Sequence, residues 1–294
     1  MAAETNRRLL VPEDKIIVVL DTAPVRELAY VEEVPSWVDT FAKMKEDGYS
    51  FSLADATQAE LLAQRWRNAL SATDLENILV GLERFISPQL PVLLGKKDIS
   101  GMLQINQEGW EPYECAQLSK RAFEWLKDSV HSTAQFASPE WALQEERDDW
   151  VGLFTGLQNI FDAIKDEDPH LPIDVNSLTA GMLAFMEIDQ DAQSLLIPPL
   201  SVRNHLKNRY MWRQFVRKQK SSKAYDPNSP KKRNDGIDAD LYRYLPLPAL
   251  IVTDDNAFFG GLSDIDSFQR KWFFRAKQLA DEWLLGNKPN PAWP

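Results

Sequence analysis

Two rhythms of apolar residues organise the chain. Ile16-Ile17-Val18-Val19-Leu20 is an unbroken, mostly β-branched run that stops at Asp21-Thr22. Ala249-Leu250-Ile251-Val252 is a second such run, stopping at Thr253-Asp254-Asp255. Short apolar runs bounded by polar residues predict buried strands, and Tyr49 to Leu53 predicts another. Between them the period changes to that of a helix. Trp37, Phe41 and Met44 share one helical face, Ser36 to Asp39 has the spacing of a capping box, and Gly48 ends the helix. Ala56 to Leu70 predicts an amphipathic helix, with Thr57 and Glu60 at capping-box spacing.

From about Thr73 the pattern stays helical for a long way. Helices are predicted over 74–85, 113–129, 140–165, 177–186 and 202–220, with prolines and glycines in the gaps. Trp110, Trp125, Trp141, Trp150 and Phe154 fit the core of a helical bundle. Tyr210, Trp212 and Phe215 are interleaved with basic residues at a spacing that suits either a core or a basic face. Ser221 to Gly236 is polar and basic and predicts a loop. A last helix is expected over 263–285, with Phe268, Trp272, Phe273, Leu279 and Trp283 mostly on its buried side, followed by an extended tail. The expected architecture is a small α/β core with a short parallel sheet, formed by 1–70 and 234–294. An all-helical insertion, 71–233, interrupts it and ends in a basic helix and loop. Parallel strands need crossovers, which the helices after Asp21 and Asp55 supply.

Composition narrows the class. With 44% hydrophobic and 26% charged residues, the 294-residue chain reads as an ordinary globular protein. No apolar run approaches the roughly 18 residues needed to span a bilayer, and Met1 to Arg8 lacks the apolar centre of a secretion signal. One cysteine, Cys115, forms no internal disulfide, so the reducing cytoplasm is the expected compartment. Three scattered histidines argue against a zinc site and towards oxygen ligands for a hard cation. The net charge is −11, yet 203–233 carries eleven Lys/Arg and one acid, Asp226. The surface is therefore expected to be polarised.

Acids stand at the ends of two predicted strands, Asp21 beside Thr22 and Asp254-Asp255 beside Thr253, and Asp238 opens a helix in Asn234-Asp235-Gly236-Ile237-Asp238-Ala239. Ligand chemistry in open α/β sheets gathers at the carboxyl ends of strands, so a metal-binding carboxylate cluster is expected. These pieces, in this order, resemble the PIN-like domain nucleases: strand-Asp-Thr, a glutamate after the second strand, Asn-Asp-x-x-Asp-Ala on a later helix and Thr-x-Asp after a late strand. The resemblance covers roughly 14–66 and 234–285 and leaves the middle unmatched. Ala23 departs from the asparagine the family often carries after its first Asp-Thr or Asp-Ser.

The resemblance implies a three-layer PIN-like core and a Mg²⁺- or Mn²⁺-dependent nuclease. Its catalytic and metal ligands would be Asp21, Glu60, Asp238 and Asp255. Asp235 and Asp254 are the alternative ligands, and Thr22 and Thr253 would hydrogen-bond a ligand or a bound water. The expected substrate is RNA ahead of DNA, held by Arg209, Arg213, Arg217, Lys218, Lys220, Lys231, Lys232 and Arg233. The helical insertion is the expected surface for a protein partner or a second copy of the chain. The alternative is a catalytically inactive binding or assembly module on the same fold. A haloacid-dehalogenase-type phosphatase is disfavoured, because Ala23 stands where that chemistry needs a second Asp.

Overall fold

The computed structural model describes residues 15–30, 34–95, 99, 112–132, 139–187, 197–221, 225–229, 231–232 and 234–294. The protein is mixed α/β and mostly helical, with one parallel sheet of five strands in the order β3-β2-β1-β4-β5. The strands are β1 (Ile16–Leu20), β2 (Tyr49–Ala54), β3 (Val92–Leu93), β4 (Ala249–Val252) and β5 (Phe273–Phe274). The chain divides into two compact units: Met1–Pro139 with Leu247–Asp254 and Trp272–Ala292, and Glu140–Pro246 with Asp255–Lys271 and Trp293–Pro294.

The first unit is the sheet and its helices. β1 is central, and its register pairs Leu20 with Leu53 on one side and with Val252 on the other. Val18 to Leu20 and Ala249 to Val252 are at most 1% exposed, which is why these runs lack a polar face. Its described helices are α1 (Thr22–Glu27), α2 (Ser36–Glu46), α3 (Asp55–Trp66), α4 (Ala72–Glu83), α5 (Pro112–His131) and, near the C-terminus, a helix over Ala276–Leu284. Phe41 on α2 stacks on Phe51 of β2 at 4.6 Å, and Phe85 meets both edge-on. Each such aromatic pair contributes about 0.5–1.5 kcal/mol beyond area burial.

The second unit is helical. It comprises α6 (Glu140–Glu167), α7 (Val175–Glu187), α8 (Leu200–Arg203), α9 (His205–Lys220), α10 (Asp235–Asp240) and α11 (Asn256–Leu262). A chain of rings runs through it, Phe154–Trp150–Tyr210–Tyr242–Phe258, with Tyr225 stacked on Phe154. Arg203 is buried and structural. Its guanidinium donates to the carbonyls of Pro198, Ile197 and Pro246.

Several expectations need correction. Neither proposed capping box forms. Pro35 is the N-cap of α2 without a side-chain bond, and Ala54 precedes α3. The capping box that does form is Ser71 with Asp74, at the start of α4. The expected helix 263–285 is broken into a 3₁₀ turn (Phe268–Trp272), β5 and α12 (Ala276–Leu284), because Phe273-Phe274 pairs with Ile251-Val252 of β4. The two-residue strands β3 and β5 carry no periodic signal and were not expected. Trp125 and Trp141 are 43% and 66% exposed rather than core, whereas Trp150 and Phe154 are buried; Trp110 lies outside the described residues. Tyr210, Trp212 and Phe215 are all core. No described helix is long and apolar enough to cross a membrane.

Candidate functional site

The strand order reverses at β1. The chain moves outward from β1 through β2 to β3, then returns to lay β4 and β5 on the opposite side. In doubly wound sheets this switch point, at the carboxyl ends of the strands, is where a crevice opens and ligands bind. β1 ends in Asp21 and β4 in Thr253-Asp254. The pairing of Leu20 with Val252 sets Asp21 and Thr253 side by side, and Asp21 N–H donates to Val252 O at 2.9 Å.

Each side chain there has a local reason for its position. Asp21 is the N-cap of α1 and accepts from the Thr22 backbone N–H at 2.7 Å. Its Oδ2 accepts from the fully buried Thr253 hydroxyl at 2.6 Å. On α3, Thr57 donates its hydroxyl to Leu20 O at 3.0 Å, pinning the first turn of that helix to the end of β1. Glu60 follows one turn later, and Thr22 Oγ1 donates to its Oε2. The first unit thus brings together Asp21, Thr22, Glu60 and Thr253.

Asp254 continues β4. Burial lifts its carboxyl above the usual carboxylate range, the Glu27 charge adds to the lift, and Asp21 contributes further. A bond from the Ala276 N–H and the Arg275 charge oppose it. Its Oδ2 is buried with no hydrogen-bond partner. Glu27, at the last position of α1, was not singled out in the sequence. Its only signal there was being the one acid on the helix that Asp21 caps.

The other predicted acids belong to the helical unit. Asp235 accepts from Tyr225 Oη at 2.9 Å and faces Lys232 at 3.7 Å. Burial raises its pKa, against the Tyr225 bond and the Lys232 charge. Asp238 is half-buried on α10. Burial raises the Tyr210 phenol, and Asp235 and Asp238 add to that shift. Asp255 is the N-cap of α11, accepting from Ala257 and Phe258 N–H at 2.6 and 3.3 Å. Among the described residues, no three His, Cys, Asp or Glu side chains form a group that could hold a metal ion.

The basic residues divide by occupation. Arg209 bonds Asn176 and His205, Arg213 grips Asp264, Arg217 bonds Gln214 and lies over Tyr225, and Lys218 lies over Phe154. Lys220 and Lys231 are exposed, and Arg233 lies outside the described residues. The chain matches no protein-family profile, no curated protein and no solved structure.

Proposed function

We propose that the chain is a divalent-cation-dependent nuclease of PIN-like design that hydrolyses RNA in preference to DNA. The observation that supports this best is the carboxylate pair Asp21 and Glu60 at the switch point of a parallel sheet, each oriented by a threonine hydroxyl. The donors are oxygens only, which suits Mg²⁺ or Mn²⁺. The buried Asp254 Oδ2 next to Thr253 is a lone-pair donor with nothing to bind. Mg²⁺ is commonly held by one or two carboxylates together with retained water and substrate phosphate, so a cage of three acids is not required. Asp21 and Glu60 would hold the ion, with Asp254 beside them. When bound, the ion would lower the pKa of a water and shield the charge on the scissile phosphate.

The threonines keep the two carboxylates from turning away when no ion is bound. Lys220, Lys231, Lys232 and Arg233 would offset the repulsion between an acidic protein and a polyanion. The preference for RNA follows from the resemblance to small PIN-like nucleases.

Purified protein incubated with end-labelled RNA and DNA tests the proposal, with Mg²⁺, with Mn²⁺ and with EDTA. Cleavage of RNA is expected only with metal. Asp21→Asn and Glu60→Gln should each reduce it at least 100-fold, a loss of about 2.7 kcal/mol in transition-state stabilisation, while circular dichroism stays unchanged. Undiminished cleavage in EDTA, or in both variants, would falsify the proposal.

A further inference from the structure

The helical unit contains a cavity of about 430 Å³ that the sheet-end chemistry does not use. Its volume lies in the range of small-molecule sites, roughly 300–1,000 Å³. Its aromatic lining is Trp150, Tyr210 and Tyr242, with Tyr210 and Tyr242 stacked at 4.7 Å. Asn204 and Asn208, one turn apart on and just before α9, also line it. Asn204 makes no side-chain cap bond. Asn208 is only 9% exposed. Neither side-chain amide is among the buried polar atoms without a partner, so both reach the open space of the cavity.

Asn208 is buried and Asn204 half-buried, and two amides that bond no other side chain among the described residues, at the wall of one cavity, leave their donors and acceptors open to a ligand. Each amide offers an acceptor oxygen and two N–H donors in a plane. That is the complement of a nucleobase edge, which presents donors and acceptors side by side. Charge argues for the ring of a nucleotide rather than its phosphate. The cavity is lined by Glu146, Asp149 and Asp240 against Lys207 and Arg243, and Arg243 is already committed to Asp240 at 2.7 Å and Glu146 at 2.8 Å.

We propose that this cavity takes up one unstacked nucleobase of a single-stranded RNA, against its aromatic lining and hydrogen-bonded by Asn204 and Asn208. Sequence-selective RNA recognition reads splayed bases through bonds to their edges as well as by stacking; Tyr210 and Tyr242 already stack on each other, so the bonds to the base edge carry the selectivity here. That the base arrives as part of an RNA strand rests on the nuclease reading above; the recognition of the base itself does not.

Calorimetric titration of the full chain in EDTA, where nothing is cut, tests the idea. The probes are the four ribonucleosides, a single-stranded RNA dodecamer of each base, and the same dodecamer made abasic. The intact strand should bind at least tenfold more tightly than the abasic one. The double variant Asn204→Ala/Asn208→Ala should lose that difference while binding the abasic strand as before, and Asn208→Asp, which keeps the size but not the donors, should shift the preference among bases. Because neither amide holds the fold together, melting temperatures should stay within about a degree. Equal affinity of wild type and both variants for intact strands overturns the proposal even if RNA is cleaved in Mn²⁺, and leaves the nuclease standing. Base-dependent binding that the double variant abolishes, in a protein that never cleaves RNA, upholds the cavity and removes the nuclease. Nucleosides binding as tightly as the strand would overturn the strand as the source of the base.

Discussion

Asp254 is the residue whose chemistry is least settled by its neighbours. Burial, Glu27 and Asp21 all disfavour its charge, and Oδ2 finds no partner. A carboxyl with a raised folded pKa supports folding fully below its unfolded value, about 3.9. That support is lost as pH rises through the folded value. Asp254→Asn keeps the shape without the charge. In EDTA the variant should melt higher than wild type at pH 7, and the two should converge as pH falls towards 4. A difference that is constant with pH, or of opposite sign, would show that the Asp254 charge is not disfavoured in the fold. The sequence made Asp21 and Thr253 legible, because each follows an apolar run that could only be a buried strand. The bond between Thr22 and Glu60 was not legible. It depends on the register of β1 with β2 and on Thr57 tying α3 to Leu20 O, and neither is encoded locally.

At the scale of elements, periodicity found the long helices and the three longer strands, and it failed where packing between distant segments decides. Phe268, Trp272 and Phe273 have helical spacing, yet Phe273 leaves the helix to pair with β4. Capping spacings at Ser36 and Thr57 were equally persuasive on paper. Pro35 takes the cap position in one case, and the Thr57 hydroxyl is drawn to Leu20 O in the other. The seating of α10 on α6 was invisible to sequence patterns and is steric. A Cβ at Gly236 would lie 2.5 Å from Glu146 O and 2.7 Å from Trp150 Cβ, closer than real Cβ atoms come to backbone. Gly236→Ala must therefore push α10 away from α6, at a cost of about 1–3 kcal/mol by analogy with overpacked cores. Urea denaturation reads this directly as a lower midpoint. Gly260→Ala is the control, since a Cβ there meets nothing within 4 Å and alanine favours the helix. A Gly236 variant as stable as the Gly260 variant would mean that the two helices are not held at this approach.

At the scale of the whole molecule, charge decides how nucleic acid could be held at all. The chain carries −11, and the segment 203–233 alone concentrates eleven basic residues. The sequence assigned eight of them to the substrate without distinguishing among those eight; in the fold they are not equivalent. Arg203 is spent on three carbonyls, Arg213 on Asp264, and Arg217 and Lys218 lie over aromatic rings. A cation already neutralised by a carboxylate releases few counterions when a phosphate approaches, whereas an exposed lysine releases its share. Lys220 and Lys231 are exposed, so they should carry the electrolyte dependence of RNA binding out of proportion to their number. On a single strand each phosphate neutralised contributes about 0.7 to the slope of log affinity against log salt. Lys220→Ser and Lys231→Ser should each flatten that slope by about this amount, and their effects should add. Arg213→Ser should leave the slope nearly unchanged and instead lower the melting temperature, because Asp264 loses its partner. The measurement is RNA affinity between 50 and 300 mM KCl, in EDTA, for wild type and the three variants. A slope that responds to Arg213 as strongly as to the lysines would mean that RNA displaces the Arg213–Asp264 pair and that exposure does not select the binding cations. A slope indifferent to both lysines would remove 203–233 from the substrate path, and the charge asymmetry would be left without a part in binding.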